Sequence, residues 1–141
     1  MDVDDLAAAL QDSVSLLARR LRQASTSGEL TLPERSALSR LDRGGSTTSA
    51  ELARAEQITP QAMATTLGGL EQRGLVERRN DPHDGRRIIM SVSESGREVL
   101  RRRRADHARH LAAALGSGFT EAELAVLASA VPLIERIAEG I

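Results

Sequence analysis

Along the first two dozen residues, Leu6, Leu10, Val14, Leu17 and Leu21 recur at steps of three or four between polar and small side chains. That spacing predicts an amphipathic helix over about residues 2–24, ended by Ser25-Thr26-Ser27-Gly28. Thr31-Leu32-Pro33-Glu34 has the spacing of a capping box with proline in the first turn, and it predicts a second helix that stops at Gly44-Gly45. Thr48-Ser49-Ala50-Glu51 repeats the signal and opens a short helix to about Ala55. Thr59-Pro60 is a further cap with proline at its preferred place, and the helix it starts runs to Gly74.

Two short helices a few residues apart, the second opening on a polar cap, form a helix-turn-helix pattern. On the second, Met63, Leu67 and Leu70 stand at i, i+4 and i+7 and should face a core. The opposite face carries Gln61, Thr65, Gly68 and Gln72, flanked by Ala62, Thr66 and Gly69, and is polar, small and uncharged. Such residues suit base edges in a major groove, where Gln pairs with adenine and a Thr or Ala methyl meets the thymine methyl. For this helix alone, a solvated face is the competing reading.

The next residues favour the first reading. In Glu77-Arg78-Arg79-Asn80-Asp81-Pro82-His83-Asp84-Gly85-Arg86-Arg87, two arginine pairs flank a run of turn-forming residues. Beyond it Ile88, Met90 and Val92 alternate with Arg87, Ile89 and Ser91, as a partly buried strand does, and Leu75 to Arg78 can pair with it. A helix-turn-helix followed by such a hairpin is a winged helix whose tip is residues 81–87. An arginine on a projecting loop suits the narrow, electronegative minor groove.

Ser93 caps a predicted helix from Glu94 to about Leu115, broken by Gly116-Ser117-Gly118, and Thr120-Glu121-Ala122-Glu123 opens the last one. There Leu124, Leu127, Val131, Ile134, Ala138 and Ile141 make a heptad-like seam, with Pro132 expected to kink the helix. That seam and the stripe containing Leu6, Leu10 and Val14 call for mutual packing within or between chains; packing between chains is favoured, because a small winged-helix core has little else to cover them. The fold class expected is therefore mainly α with a small β-hairpin. Residues 1–30 are read as an N-terminal dimerisation helix, 31–93 as a winged helix-turn-helix and 94–141 as C-terminal dimerisation helices.

Composition narrows the chemistry. In 141 residues there is no Cys, which removes disulfides, thiolate catalysis and Cys-ligated metal, and no glycine-rich phosphate loop or acid/base constellation suggests an enzyme. No cofactor is expected. The net charge of −1 argues against indiscriminate nucleic-acid binding, but arginines cluster at 78–79, 86–87 and 101–104 while acids gather near both ends. His83, His107 and His110 lack the aligned acids or cysteines that a metal site would need. With no signal-peptide pattern and no apolar run near the length of a membrane span, the protein is expected to be cytoplasmic, without membrane contact.

Residues 58–79 and 81–100 together resemble the MarR (multiple antibiotic resistance regulator) family of bacterial transcription factors; the Gly-Leu-Val-Glu-Arg step, the Asp-x-Arg wing and the following Ser-x-x-Gly carry the likeness. The resemblance implies a homodimer whose first and last helices interlock, here through Leu6, Leu10, Val14, Leu124, Leu127, Val131 and Ile134. It implies binding of double-stranded DNA at a pseudo-palindromic operator. Carried over by position, Thr59, Gln61, Ala62, Thr65 and Thr66 would meet DNA from the recognition helix. In the wing, Asp84 would orient Arg86 into the minor groove with Arg87 close to phosphate, while Thr48 and Arg78 are secondary phosphate candidates. Many relatives are repressors released by small lipophilic or phenolic effectors. Here no Tyr or Trp is available to an effector pocket, and the effector's identity is not legible. Relatives often carry a basic residue near Thr65, so this neutral face shifts affinity toward the wing and phosphate contacts. The adjacent Gly68-Gly69 costs the helix roughly 2 kcal/mol relative to alanines. The competing function is a winged-helix module that binds a protein partner without specific DNA binding.

Overall fold

The computed structural model describes residues 1–25 and 30–141. In chain order its elements are α1 (Val3–Ala24), α2 (Leu32–Gly44), β1 (Thr47–Thr48), α3 (Ser49–Glu56), α4 (Pro60–Gln72), β2 (Val76–Asn80), β3 (Ile88–Val92), α5 (Glu94–Leu115) and α6 (Glu121–Glu139). The expected break at Thr26-Ser27-Gly28 lies outside the described residues. The chain divides into two compact units, Ser25–Ala105 and Met1–Ala24 with Asp106–Ile141.

The unit formed by residues 25–105 holds the core. Leu38 and Leu41 of α2, Leu52 of α3, Met63, Leu67 and Leu70 of α4, Val76 of β2, Met90 and Val92 of β3 and Leu100 of α5 are all buried together. The i, i+4, i+7 set expected on α4 is the set found inside. At the start of α2 the Thr31 hydroxyl accepts from Glu34 N at 3.2 Å and the Glu34 carboxylate accepts from Thr31 N at 2.9 Å, completing the predicted box. Glu34 is itself buried, and a Cβ on Gly69 would lie 3.0 Å from its Oε2. Glycine at 69 thus makes room for a neighbouring helix's cap, whereas Gly68 faces open space.

The helix-turn-helix bend depends on Gln57, whose φ of 57° is left-handed. It lets Ile58 N donate to Ala53 O at 3.1 Å, the six-to-one bond that closes a helix C-terminus, with Ile58 packed on the core. Gly74, at φ 71°, does the same for α4, and Leu75 N donates to Leu70 O at 2.9 Å. Helix α4 therefore ends at Gln72, two residues before the glycine expected to stop it.

The sheet has one strand more than the hairpin expected. β1 pairs antiparallel with β3 (Thr47 with Met90, Thr48 with Ile89), giving the order β1-β3-β2. β2 and β3 pair Val76 with Val92, Arg78 with Met90 and Asn80 with Ile88. Burial follows distance from the core, so Met90 and Val92 are inside and Ile88, at the wing end, is exposed.

Ser93 fixes the start of α5 three ways. Its N–H donates to Leu75 O at 3.0 Å, its hydroxyl donates to Gly74 O at 2.6 Å, and Gly96 N donates to that hydroxyl at 3.0 Å. The second unit is built differently. No residue of α1 or α6 is buried, and Leu6, Val14, Leu17, Leu127, Val131, Ile134 and Ile137 are all exposed. Thr120 and Glu123 close a full capping box on α6, which runs unbroken through Pro132.

Candidate nucleic-acid interface and helix groove

Helix α4 is held from inside by Met63, Leu67 and Leu70, so its other face is free. Gln61, Ala62, Thr65 and Gln72 are exposed there, and Thr66 and Gly68 are half-buried. The Thr59 hydroxyl caps the helix by accepting from Ala62 N at 3.1 Å. Thr65 donates its hydroxyl to Gln61 O at 3.1 Å, which leaves an acceptor oxygen and a methyl to face a partner. That face supplies shape, amides and methyls, and no charge.

The charge sits on the wing. Asp81 Oδ1 accepts from His83 N at 2.9 Å and Asp84 Oδ1 from Arg86 N at 3.1 Å, so two aspartate side chains fold the tip onto itself. Asp81 N donates to Arg87 O at 2.9 Å and Arg87 N to Asp84 O at 3.0 Å, closing the loop at its base. The Arg86 side chain is 94% exposed, with its Nε 3.5 Å from Asp84 Oδ1. Asp84 and Arg86, the pair carried over from the family resemblance, thus lie side by side on the wing. Arg87 is placed otherwise: its Nη2 lies 3.0 Å from Glu51 Oε1 on α3 and its Nε 3.8 Å from Asp81 Oδ2. The Thr47 hydroxyl, and after it Arg87, hold the Glu51 carboxyl below the usual carboxylate range. The pairing of Glu51 and Asp81 with Arg87 has no local signal in the sequence and arises only when β1 and the wing are brought together.

The secondary candidates are engaged within the protein. Thr48 caps α3 by accepting from Glu51 N at 3.2 Å, and Arg78 Nε lies 3.7 Å from Glu71 on α4. In the 101–104 cluster, Arg101 is bound by Glu94 and Glu98 at 3.0 and 2.7 Å, and Arg103 is half-buried, while Arg102 and Arg104 are exposed. Among the described residues no group of three or more His, Cys, Asp or Glu side chains could hold a metal ion. No helix there is long and apolar enough to cross a membrane.

In the unit that contains both chain ends, α1 and α6 flank a groove of about 640 Å³. It gathers Leu6, Leu10, Val14 and Ile134 from the predicted set and adds Val3 and Ile137, with no charged residue among the described residues of its lining. Leu124, Leu127 and Val131 lie outside that lining. Ile137 falls beside the seam position Ala138, whereas Val3 stands three residues before Leu6 and continues the stripe of the first helix.

Residues 29–87 match the MarR family. The chain is 35% identical over 129 residues to the HTH-type transcriptional regulator Mb0904 of Mycobacterium bovis, across 92% of this chain and 90% of that protein. Over 73 residues, 52% of each chain, it is 41% identical to the HTH-type transcriptional repressor Rv2887 of Mycobacterium tuberculosis. Among solved structures, a transcriptional regulator protein from Pseudomonas aeruginosa superposes with a TM-score of 0.81 at 34% identity, covering 96% of this chain and 95% of that one. A mutant of Staphylococcus aureus MepR bound to an oligodeoxyribonucleotide shares the fold, with a TM-score of 0.71 at 16% identity over 94% and 97% of the two chains.

Proposed function

Because the chain belongs to the MarR family of HTH-type transcriptional regulators, we propose that it acts as a homodimeric repressor that binds a pseudo-palindromic duplex operator. One observation carries the DNA-contact assignment: a neutral, exposed α4 face stands in the same unit as a wing whose Arg86 is almost wholly exposed and steered by Asp84. Gln61, Ala62, Thr65 and Thr66 read base edges from the major groove, with Thr59 at the helix start. Arg86 enters the minor groove, where a guanidinium meets the strongest negative potential. The dimer forms through the apolar faces of α1 and α6, which one chain leaves exposed.

Release by a small anion is the finer part of this reading. Its support is a pair of like charges: burial and then the nearby Arg35 push the Arg103 guanidinium below its ordinary value. The Arg35 Nε is buried, and no described residue is a hydrogen-bond partner for it. An anion placed between the two arginines would relieve both.

Arg86→Ala removes a cationic contact and touches no core residue. Folding should persist by circular dichroism, while specific affinity falls by about 1–3 kcal/mol. The logarithmic salt dependence of binding should flatten by about two units for a dimer, one per subunit. Anisotropy titrations at several salt concentrations read both quantities. Unaltered affinity and slope would remove the wing from the DNA contact and favour a protein partner.

A further inference from the structure

Three helices of this chain open on Thr-x-x-Glu. In two of them the glutamate returns to the threonine's backbone N–H: Glu34 to Thr31 at 2.9 Å and Glu123 to Thr120 at 2.8 Å. At α3 the pattern departs. The Thr48 hydroxyl accepts from Glu51 N at 3.2 Å, but the Glu51 carboxylate accepts from the Thr47 hydroxyl and from Arg87 Nη2, the latter at 3.0 Å. The residue that local sequence would use to finish a cap is turned toward the wing.

Arg87 stands where the wing loop closes. Its carbonyl accepts from Asp81 N, its N–H donates to Asp84 O, and its guanidinium lies between Glu51 and Asp81. It is the next residue after Arg86, so a constraint on it passes through one peptide unit to the exposed arginine. β1 supports the same junction through the pairs Thr47–Met90 and Thr48–Ile89.

We propose that Glu51 and Arg87 form a positioning latch between the helix-turn-helix and the wing, and that Arg87 is not a phosphate contact. This rests on the DNA-binding reading above. A guanidinium flanked by two carboxylates has little net charge to offer a phosphate, and moving it to DNA would leave Glu51 and Asp81 facing the backbone's negative charge. Held in place, it limits the conformations of the wing before DNA arrives, which lowers the ordering cost of placing Arg86.

The sign of one substitution separates the alternatives. Removing an acid near DNA ordinarily strengthens binding, whereas breaking the latch weakens it. The probe is a duplex that the wild-type protein selects from a random pool. With it, Glu51→Gln and Arg87→Ala are each expected to lower affinity about two- to fivefold, the size of an exposed ion pair. The salt slope should hardly change for Arg87→Ala. Amide exchange at Asp81 and Arg87 in the free protein should quicken in both variants, and combining Glu51→Arg with Arg87→Glu should recover affinity lost by Arg87→Glu alone. Equal or tighter binding by Glu51→Gln, with a slope flattened by about two units in Arg87→Ala, would make Arg87 a phosphate contact and overturn the latch. If the wild-type protein selects no duplex, the DNA-binding reading fails and the latch falls with it; failure of the variants on a selected duplex leaves that reading intact.

Discussion

Ile134→Asp is expected to turn the dimer into monomers that lose much of their helical order. Ile134 lies in the uncharged groove between α1 and α6 and is half-exposed in the single chain, as are Leu6, Val14 and Ile137 around it. These two helices contribute no buried residue, so their own chain does not provide the apolar burial that stabilises most helices in water. A second copy covering the groove would remove that surface from solvent at about 25 cal/mol per Å² of apolar area. A carboxylate placed there must lose water without a cation to meet it, at a cost of several kcal/mol. Dimerisation should weaken by about a hundredfold or more, since each 1.4 kcal/mol is a factor of ten. Sedimentation equilibrium across a concentration series measures the change. A variant with wild-type self-association would place the interface elsewhere.

The second large effect concerns Gly96, where helix α5 crosses the end of the α4–β2 turn. A Cβ built on Gly96 would stand 2.2 Å from Leu75 O and 2.8 Å from Val92 Cγ2. The first of these is backbone, so no side-chain rotation relieves it. That carbonyl also accepts from Ser93 N, and the Ser93 hydroxyl joins Gly74 O to Gly96 N, so moving α5 away would break the junction that starts it. Gly96→Val should therefore destabilise by about 3 kcal/mol, at the upper end of overpacking costs. Gly68→Ala is the control, because open space surrounds Gly68 and the change gains about 1 kcal/mol of helix propensity. Urea unfolding at one fixed protein concentration compares the two, the concentration being held because association shifts apparent stability. A Gly96→Val midpoint equal to that of the wild type would mean that α5 closes on the sheet differently.

The elements that local physics decides were the ones legible in the sequence. Thr31 and Glu34, Thr120 and Glu123, and Thr59 with Pro60 mark helix starts through contacts three residues apart, and each start is found in place. Met63, Leu67 and Leu70 share a face by helical period alone, and they are buried. What the sequence concealed depends on long-range pairing. β1 is two residues long, with no alternation to detect, and exists because Thr47 and Thr48 meet β3 more than 40 positions later. The same approach draws Glu51 from the cap its sequence implies and gives Arg87 two acidic neighbours, the geometry on which the proposed latch rests. Asp84 and Arg86, two positions apart on a turn, needed no such pairing.

Selection of bound duplexes from a random pool tests whether a symmetric pair of winged helices reads DNA. Such a pair should enrich an inverted repeat whose half-sites lie about 10 base pairs apart, one helical turn, with binding that weakens steeply as salt rises. Recovery of no sequence preference, or of binding indifferent to salt, would contradict it.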